Sequence, residues 1–406
     1  MRTNAIYCGD CQNVLGNTLE FPDESVDLIY ADPPFFTSAN YEVLWGDGYE
    51  LRAFEDRWKG GIENYIAWMK PKLQECYRVL KRSGSLYLHC DWHANAHLRI
   101  ALDEVFRREI QCEVIWDKGF RGTERKRNWQ QSHDTILFYT KSDDYSWNDQ
   151  FQPYADPGLT RYNKVDPDGR RYALIKRRHA DGSVYYGRTY PKAQGKRMND
   201  VISIPVLAAT ASERLGYPTQ KPEALLAMLV SASSNVGDVV LDPFCGCGTS
   251  IVAAKRLDRK WVGIDVSPTA CKLMVKRMRA AGAQIAEADI IGLPKTAAQI
   301  RQLQPFEFQN WVLQRLMGRV SARKTGDMGI DGYLFDGTPV QVKQSEDVGR
   351  NVVDNFETAI RRAKKSKGMI VAFSFGKGAH EEVARVKNAD GLEITLKTTK
   401  ELMEEE

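Results

Sequence analysis

Two separated stretches of the chain group residue types that could do chemistry. Asp32-Pro33-Pro34-Phe35 sets a carboxylate, a backbone carbonyl held by prolines and an aromatic ring at one point. Two such acceptors can take the N–H bonds of a planar exocyclic amine and help localise its lone pair, while the ring stacks on the base that carries it. The same four residues also suit a plain strand-to-loop turn, so their meaning depends on the rest of the chain. The second stretch is a turn with two glycines, Gly246 and Gly248, followed by an acid, Asp265. That acid stands roughly twenty residues on, the spacing at which a carboxylate accepts hydrogen bonds from ribose hydroxyls. There is no third glycine for a dinucleotide fingerprint and no Gly-Lys-Ser/Thr for a P-loop. A nucleoside without phosphate fits, and S-adenosylmethionine is the common one.

The elements that must position these groups follow from the pattern. Residues 26–31 form a short apolar run suited to a central strand, and the two prolines after it force the chain out at the strand's carboxyl end, where open α/β sheets bind ligands. Strands are predicted at 5–10, 85–89, 112–116, 134–139, 239–242 and 260–264, with helices at 12–19, 65–80, 98–106, 223–232, 251–257 and 268–279. This alternation predicts an α/β fold with a doubly wound, mostly parallel sheet. Residues 118–127, rich in Gly and Arg, read as a loop that could close over DNA. Residues 142–214 read as an inserted recognition region rather than sheet core.

At 406 residues the chain fits two or three domains, and 43% hydrophobic with 27% charged residues is the balance of a globular protein. No apolar run approaches the roughly 20 residues of a membrane span and no leader opens the sequence, so the expected location is cytoplasmic, without membrane contact. Eight cysteines without regular spacing argue for reduced thiols. Cys8 and Cys11 form a CxxC with no second pair, which argues against zinc. His89, His93 and His97 recur at every fourth residue around Asp91 and read as a half-exposed helix face rather than a metal site.

The net charge of +4 decides little, but its distribution is informative. Residues 161–197 hold eleven Lys/Arg against three Asp, interleaved with Tyr162, Tyr172, Tyr185, Tyr186 and Tyr190. Basic side chains that grip phosphate beside aromatics that stack on bases are the footprint of nucleic-acid contact, with a solvated basic loop as the alternative. The candidate DNA-binding residues are Arg121, Arg125, Arg127, Arg170, Arg171, Lys176, Arg177 and Arg178.

Asp32-Pro33-Pro34-Phe35, Pro218-Thr219-Gln220-Lys221-Pro222 and Asp242-Pro243-Phe244-Cys245-Gly246-Cys247-Gly248-Thr249 together resemble the motifs of DNA amino-methyltransferases. Their order, catalytic motif before cofactor motif with a variable region between, is similar to the permuted beta class over residues 1–290. The resemblance implies a Rossmann-like methyltransferase domain over 1–292, with S-adenosylmethionine as cofactor. It also implies double-stranded DNA as partner with the target base flipped, and it admits a homodimer. In it Asp32, Pro33, Pro34 and Phe35 are catalytic, with Asp32 and the Pro33 carbonyl on the amine and Phe35 stacked on the base. Asp242, Phe244, Gly246, Gly248 and Thr249 hold the cofactor's methionine and ribose, Asp265 its hydroxyls and Asp10 its adenine amine. Thr219 and Lys221 close the site beside the cofactor's carboxylate. Cys247 replaces a frequent serine and Phe35 a commoner tyrosine, neither of which removes stacking or alters size much. Aspartate in the first catalytic position favours adenine N6, with cytosine N4 as the alternative.

After residue 292 the pattern changes. Asp331 at one strand edge, then Gln341 and Lys343 two apart on the next strand, suit a divalent ion beside a scissile phosphate, the lysine steadying the attacking water or phosphate charge. These residues resemble the Mrr-like restriction-endonuclease fold over 303–376, with Glu307 matching the acid on its first helix. The expected unit is a smaller α/β endonuclease-like domain over 293–406, with Mg2+ on Asp331 and Gln341. A glutamine where many relatives carry glutamate keeps open a DNA-gripping domain without cleavage. The acidic tail, 401–406, reads as disordered.

Overall fold

The computed structural model describes all residues except 37–39, 45–49, 56–60, 120–126, 155–160, 209, 212, 216–219, 304, 317, 321–328, 335 and 405–406. Side chains are also left out for 40–44, 50–55, 306, 314, 319, 320 and 390. The first unit runs β1 (Ala5–Cys8), α1 (Cys11–Leu15), β2 (Val26–Ala31), β3 (Asn40–Leu44), β4 (Glu50–Glu55), α2 (Gly61–Val79), β5 (Leu80–Cys90), α3 (Asn95–Phe106), β6 (Cys112–Asp117) and β7 (His133–Thr140). It continues through β8 (Phe151–Gln152), β9 (Lys164–Val165), β10 (Arg171–Arg178), β11 (Val184–Thr189), β12 (Lys196–Arg197) and β13 (Val201–Ser203), then α4 (Glu223–Ser233), β14 (Val239–Asp242), α5 (Thr249–Arg256), β15 (Lys260–Asp265) and α6 (Pro268–Ala280).

Eight strands form one sheet in the order β1-β15-β14-β2-β5-β7-β6-β13. Only β7 runs against its neighbours, so the expected mostly parallel sheet is found. Side chains alternate across each strand, and both faces are apolar. Leu28, Tyr30 and Val240 pack beneath α4, α5 and α6, whereas Ile29, Ala31 and Leu241 pack against α1, α2 and α3. The doubly wound arrangement is therefore a direct reading of strands buried on two sides.

Connections leave β2 toward β5 on one side and β14 toward β15 on the other, so the strand order reverses between β14 and β2. Val240 pairs with Leu28 and Leu241 with Ile29, which brings the ends of both strands to one crevice. This is the switch point at which such sheets bind ligands.

Several sequence expectations need correction. Helix α1 ends at Leu15 rather than 19, and β5 starts at Leu80, running straight out of α2. His89 is not on a helix: it sits near the end of β5 and is fully buried, because that strand's last residues lie in the sheet centre. The segment 142–214 is not wholly outside the sheet, since β13 pairs with β6 at the edge. The remainder forms small sheets, chiefly the hairpin β10–β11 closed at Asp181-Gly182, where Gly182 takes a φ of +84°.

The second unit comprises α7 (Ala297–Arg301), α8 (Pro305–Arg315), β16 (Arg319–Val320), β17 (Gly332–Tyr333), β18 (Pro339–Val342), α9 (Arg350–Arg362), β19 (Lys367–Ala372), α10 (Lys377–Asp390), β20 (Glu393–Thr398) and α11 (Thr399–Glu404). Its five strands follow chain order in a mixed sheet with two apolar clusters. The acidic tail is not disordered through 404: α11 is anchored by Leu402, which is buried with Phe308 and Trp311 of α8. Among the described residues no helix is long and apolar enough to cross a membrane.

Candidate active site

Asp32 leaves β2 at the crevice and meets the turn that follows β14. One cavity is lined by Asp32, Pro33, Pro34 and Phe35 from the first and by Asp242, Phe244, Gly246 and Thr249 from the second, with Asp10, Lys221 and Asp265 completing it. Segments about two hundred residues apart in the chain are thereby joined, as the sequence predicts.

The glycine turn is built by its own carboxylates. Asp242, 3% exposed, accepts from the Phe244 amide at 3.0 Å and from the Ser250 hydroxyl. Asp265 accepts from the Gly246 amide at 2.8 Å and the Ser267 amide at 2.9 Å, and Ser267 then caps α6. Gly246 and Gly248 take φ of +51° and +82°, where a side chain would be strained. Gly248 does not line the cavity. A Cβ there would meet Met274 and Ile251, so the glycine also lets the turn pack against α6.

Burial pushes the Asp242 carboxyl up to about 7 and that of Asp265 up to about 6, and neither has a cationic partner among the described residues. Four carboxylates, from Asp10, Asp32, Asp242 and Asp265, face this cavity, and only Lys221 among its lining residues is basic. Such a donor set suits a nucleoside that carries positive charge and disfavours one carrying phosphates. Asp10 is partly engaged: one oxygen caps α1 through the Gln12 amide and the other pairs with buried Lys72 at 3.0 Å. Lys72 in turn lies 4.4 Å over the Trp68 ring, which lines the cavity. The Thr249 hydroxyl accepts from Arg277 at 2.6 Å.

Lys221 also lines the cavity. It is 8% exposed, forms an ion pair with Asp32, and stands 5.0 Å from the Phe35 ring centroid. A buried ammonium requires a counter-charge, and Asp32 supplies it. Tyr65 donates to the Pro34 carbonyl at 3.1 Å, pinning the turn from α2. Thr219 lies outside the described residues.

The basic candidates divide. Arg121 and Arg125 lie outside the described residues, and Arg127 is exposed nearby. Arg171, Lys176, Arg177 and Arg178 stand exposed along β10. Arg170 is instead tied to Asp166 and Asp168, so its charge is locally balanced.

In the second unit Gly332 pairs with Val340, which sets Asp331 opposite Gln341, and Lys343 follows two residues on. Asp331 accepts from the Val342 amide at 2.7 Å. The Gln341 side chain is 2% exposed and its carbonyl oxygen has no hydrogen-bond partner among the described residues. A half-buried carboxylate beside an unsatisfied amide oxygen fits a hard cation. Glu307 is 1% exposed and lies beside Ser267 and Asp265 of the first unit; burial, eased by the Ser267 hydroxyl and reinforced by Asp265, pushes it up to about 8.

Sequence reasoning missed Tyr30, His89, Asp134, Trp68 and Lys72. Strand period could have found Tyr30, which lies near the end of β2, two residues before Asp32. No local pattern pointed to the others.

The DNA methylase family matches residues 26–276, and a restriction endonuclease family matches residues 300–405. The DNA adenine methyltransferase YhdJ of Escherichia coli (strain K12) is 30% identical over 277 residues, 68% of this chain and 83% of that protein. The type II methyltransferase M.EcaI of Enterobacter cloacae is 28% identical over 307 residues, 64% of this chain and 66% of its own. Among solved structures, a DNA modification methylase of Thermus thermophilus complexed with S-adenosyl-L-methionine aligns over 71% of this chain and 98% of its own, at 19% identity and a TM-score of 0.44. The PvuII DNA methyltransferase (cytosine-N4-specific) covers 71% of this chain and 90% of its own, at 15% identity and a TM-score of 0.45.

Proposed function

The chain belongs to the DNA methylase family, and from that premise we propose that it transfers a methyl group from S-adenosylmethionine to the N6 amine of adenine in double-stranded DNA. The observation that carries this reading is the shared cavity of Asp32 and Gly246. Asp242 would meet the charge of the cofactor's methionine end, Asp265 its ribose hydroxyls and Asp10 its adenine amine. When bound, the cofactor supplies a methyl carbon already activated by the sulfonium. The protein's task is then alignment, with the amine within near-attack distance of that carbon. Asp32 and the Pro33 carbonyl accept the two N–H bonds of an extruded base, and Phe35 stacks on its face. Arg127 and the exposed basic face of β10 grip phosphate. Adenine is favoured over cytosine by the aspartate in the catalytic turn and by the similarity to an adenine methyltransferase.

The test is to incubate unmethylated DNA with isotopically labelled cofactor and identify the modified nucleoside by mass spectrometry. N6-methyladenine is expected; N4-methylcytosine would reassign the base, and no labelled nucleoside would overturn the reading.

A second activity is favoured by the unsatisfied Gln341 oxygen beside Asp331. Residues 293–406 form a unit in which Asp331 and Gln341 would hold Mg2+ and Lys343 would stabilise charge at a scissile phosphate. The metal supplies Lewis-acid polarisation there. Mg2+-dependent cutting of unmethylated DNA, abolished by Lys343→Ala, is the expected result; intact DNA would leave this unit as a DNA-gripping module.

A further inference from the structure

Beneath the catalytic turn lies a line of buried polar groups that the proposed reaction does not use. Tyr30, which lines the cavity, has its hydroxyl 2.8 Å from His89 Nδ1. His89 Nε2 is 3.2 Å from Asp134 Oδ2, and the other oxygen of Asp134 receives Lys118 Nζ at 2.5 Å. Tyr30, His89 and Asp134 are 3%, 0% and 5% exposed. The His89 ring also lies 5.7 Å from Phe35 and edge-on to Trp116.

The direction of the protons follows from which groups are charged. Burial tends to raise Asp134, but the His89 hydrogen bond and the Lys118 charge outweigh it and hold the carboxyl below its ordinary range. An ionised carboxylate only accepts, so His89 Nε2 carries the proton. Burial, with Lys221 nearby, lowers His89, which is therefore neutral and leaves Nδ1 with a bare lone pair. The Tyr30 hydroxyl must donate to that lone pair. Burial and the charges of Asp32 and Asp242 keep Tyr30 a phenol, so with its proton on His89 the oxygen has only lone pairs left to offer.

We propose that Asp134, acting through His89, fixes Tyr30 as an acceptor facing the target base, which makes Tyr30 a specificity-determining residue. This rests on the methyl-transfer reading above. Asp32, the Pro33 carbonyl and Tyr30 then offer three acceptors to the base's amine, with Lys221 held on Asp32. A base edge bearing an amine is received, and one bearing an oxo group is refused because its oxygen would meet unpaired acceptors. His89 and Asp134 are positioning residues that set the hydroxyl's direction.

The first measurement needs no variant activity: ring 15N shifts of His89, assigned by comparison with His89→Gln, should show protonated Nε2 and unprotonated Nδ1 near neutral pH. The opposite tautomer, or an imidazolium, overturns the proposal. Next, Tyr30→Phe should keep cofactor binding and thermal stability while kcat falls on the order of tenfold, the cost of one lost hydrogen bond. Asp134→Asn should lose a similar factor, and the double variant no more than either alone, since both act on one acceptor. Additive losses, or undiminished turnover in Tyr30→Phe, would also overturn it. If the tautomer is found and no DNA is methylated, the reaction assigned above is wrong while the hydrogen-bond line stands.

Discussion

The two units handle buried carboxylates in opposite ways. In the first, Asp32, Asp242 and Asp265 converge on one cavity, and each is met by an amide, a hydroxyl or an ammonium. In the second, Asp331 and Gln341 face each other across a strand pair, while Glu307 is buried beside Ser267 and Asp265 of the first unit. The first site is assembled and waits for a cation. The second keeps one of its acids docked against its neighbour, beside Asp265. Proximity in a fold is therefore not enough; what distinguishes a prepared site is that each charge already has a partner or faces the space a ligand will fill.

That contrast can be broken most severely at Asp32. Asp32→Asn should retain cofactor binding by calorimetry and lose about 10²–10³-fold in kcat for methyl transfer; unchanged turnover would remove Asp32 from the chemistry. Lys221→Met leaves a buried carboxylate without its counter-charge and should cost about 3 kcal/mol in urea denaturation, with Asp32→Asn/Lys221→Met recovering much of it.

Glu307→Gln tests the other side and should stabilise the chain by about 1–2 kcal/mol at pH 8 by removing a charge that burial and Asp265 disfavour. Glu307 is raised from 4.5 to about 8, so the folded chain holds a proton that the unfolded chain has already released. Wild-type stability from this group is full below pH 4.5 and is lost as pH rises through about 8, whereas the variant should lack that slope. The smallest effect concerns the cofactor. Asp242, raised to about 7, must ionise to meet a cation, so S-adenosylmethionine affinity should rise from pH 6 to 8 by up to about tenfold. A flat profile would mean that Asp242 does not face the cofactor's charge.

The parts of this arrangement legible in the sequence were those set by local chemistry. Prolines after an apolar run ended β2, glycines marked the turn after β14, and the acid ending β15 lines the cavity its spacing predicts. What stayed hidden depended on distant partners. Lys221 pairs with a residue 189 positions away, and the strand ending near His89 is predicted but not its partners Tyr30 and Asp134, 59 and 45 positions away. Glu307 was assigned by its place on a helix, but which neighbour that helix face meets is decided by domain docking.

The pairing of β14 with β2 has a consequence for how the molecule is made. Residues 26–31 leave the ribosome long before residues 239–242, so the nascent chain carries a central strand with one bare edge for most of its synthesis. Such an edge is an aggregation hazard and its closure a slow, non-local step. Until translation passes β15 half of the crevice does not exist, so an interrupted chain would carry the Asp32 turn without the glycine turn that faces it.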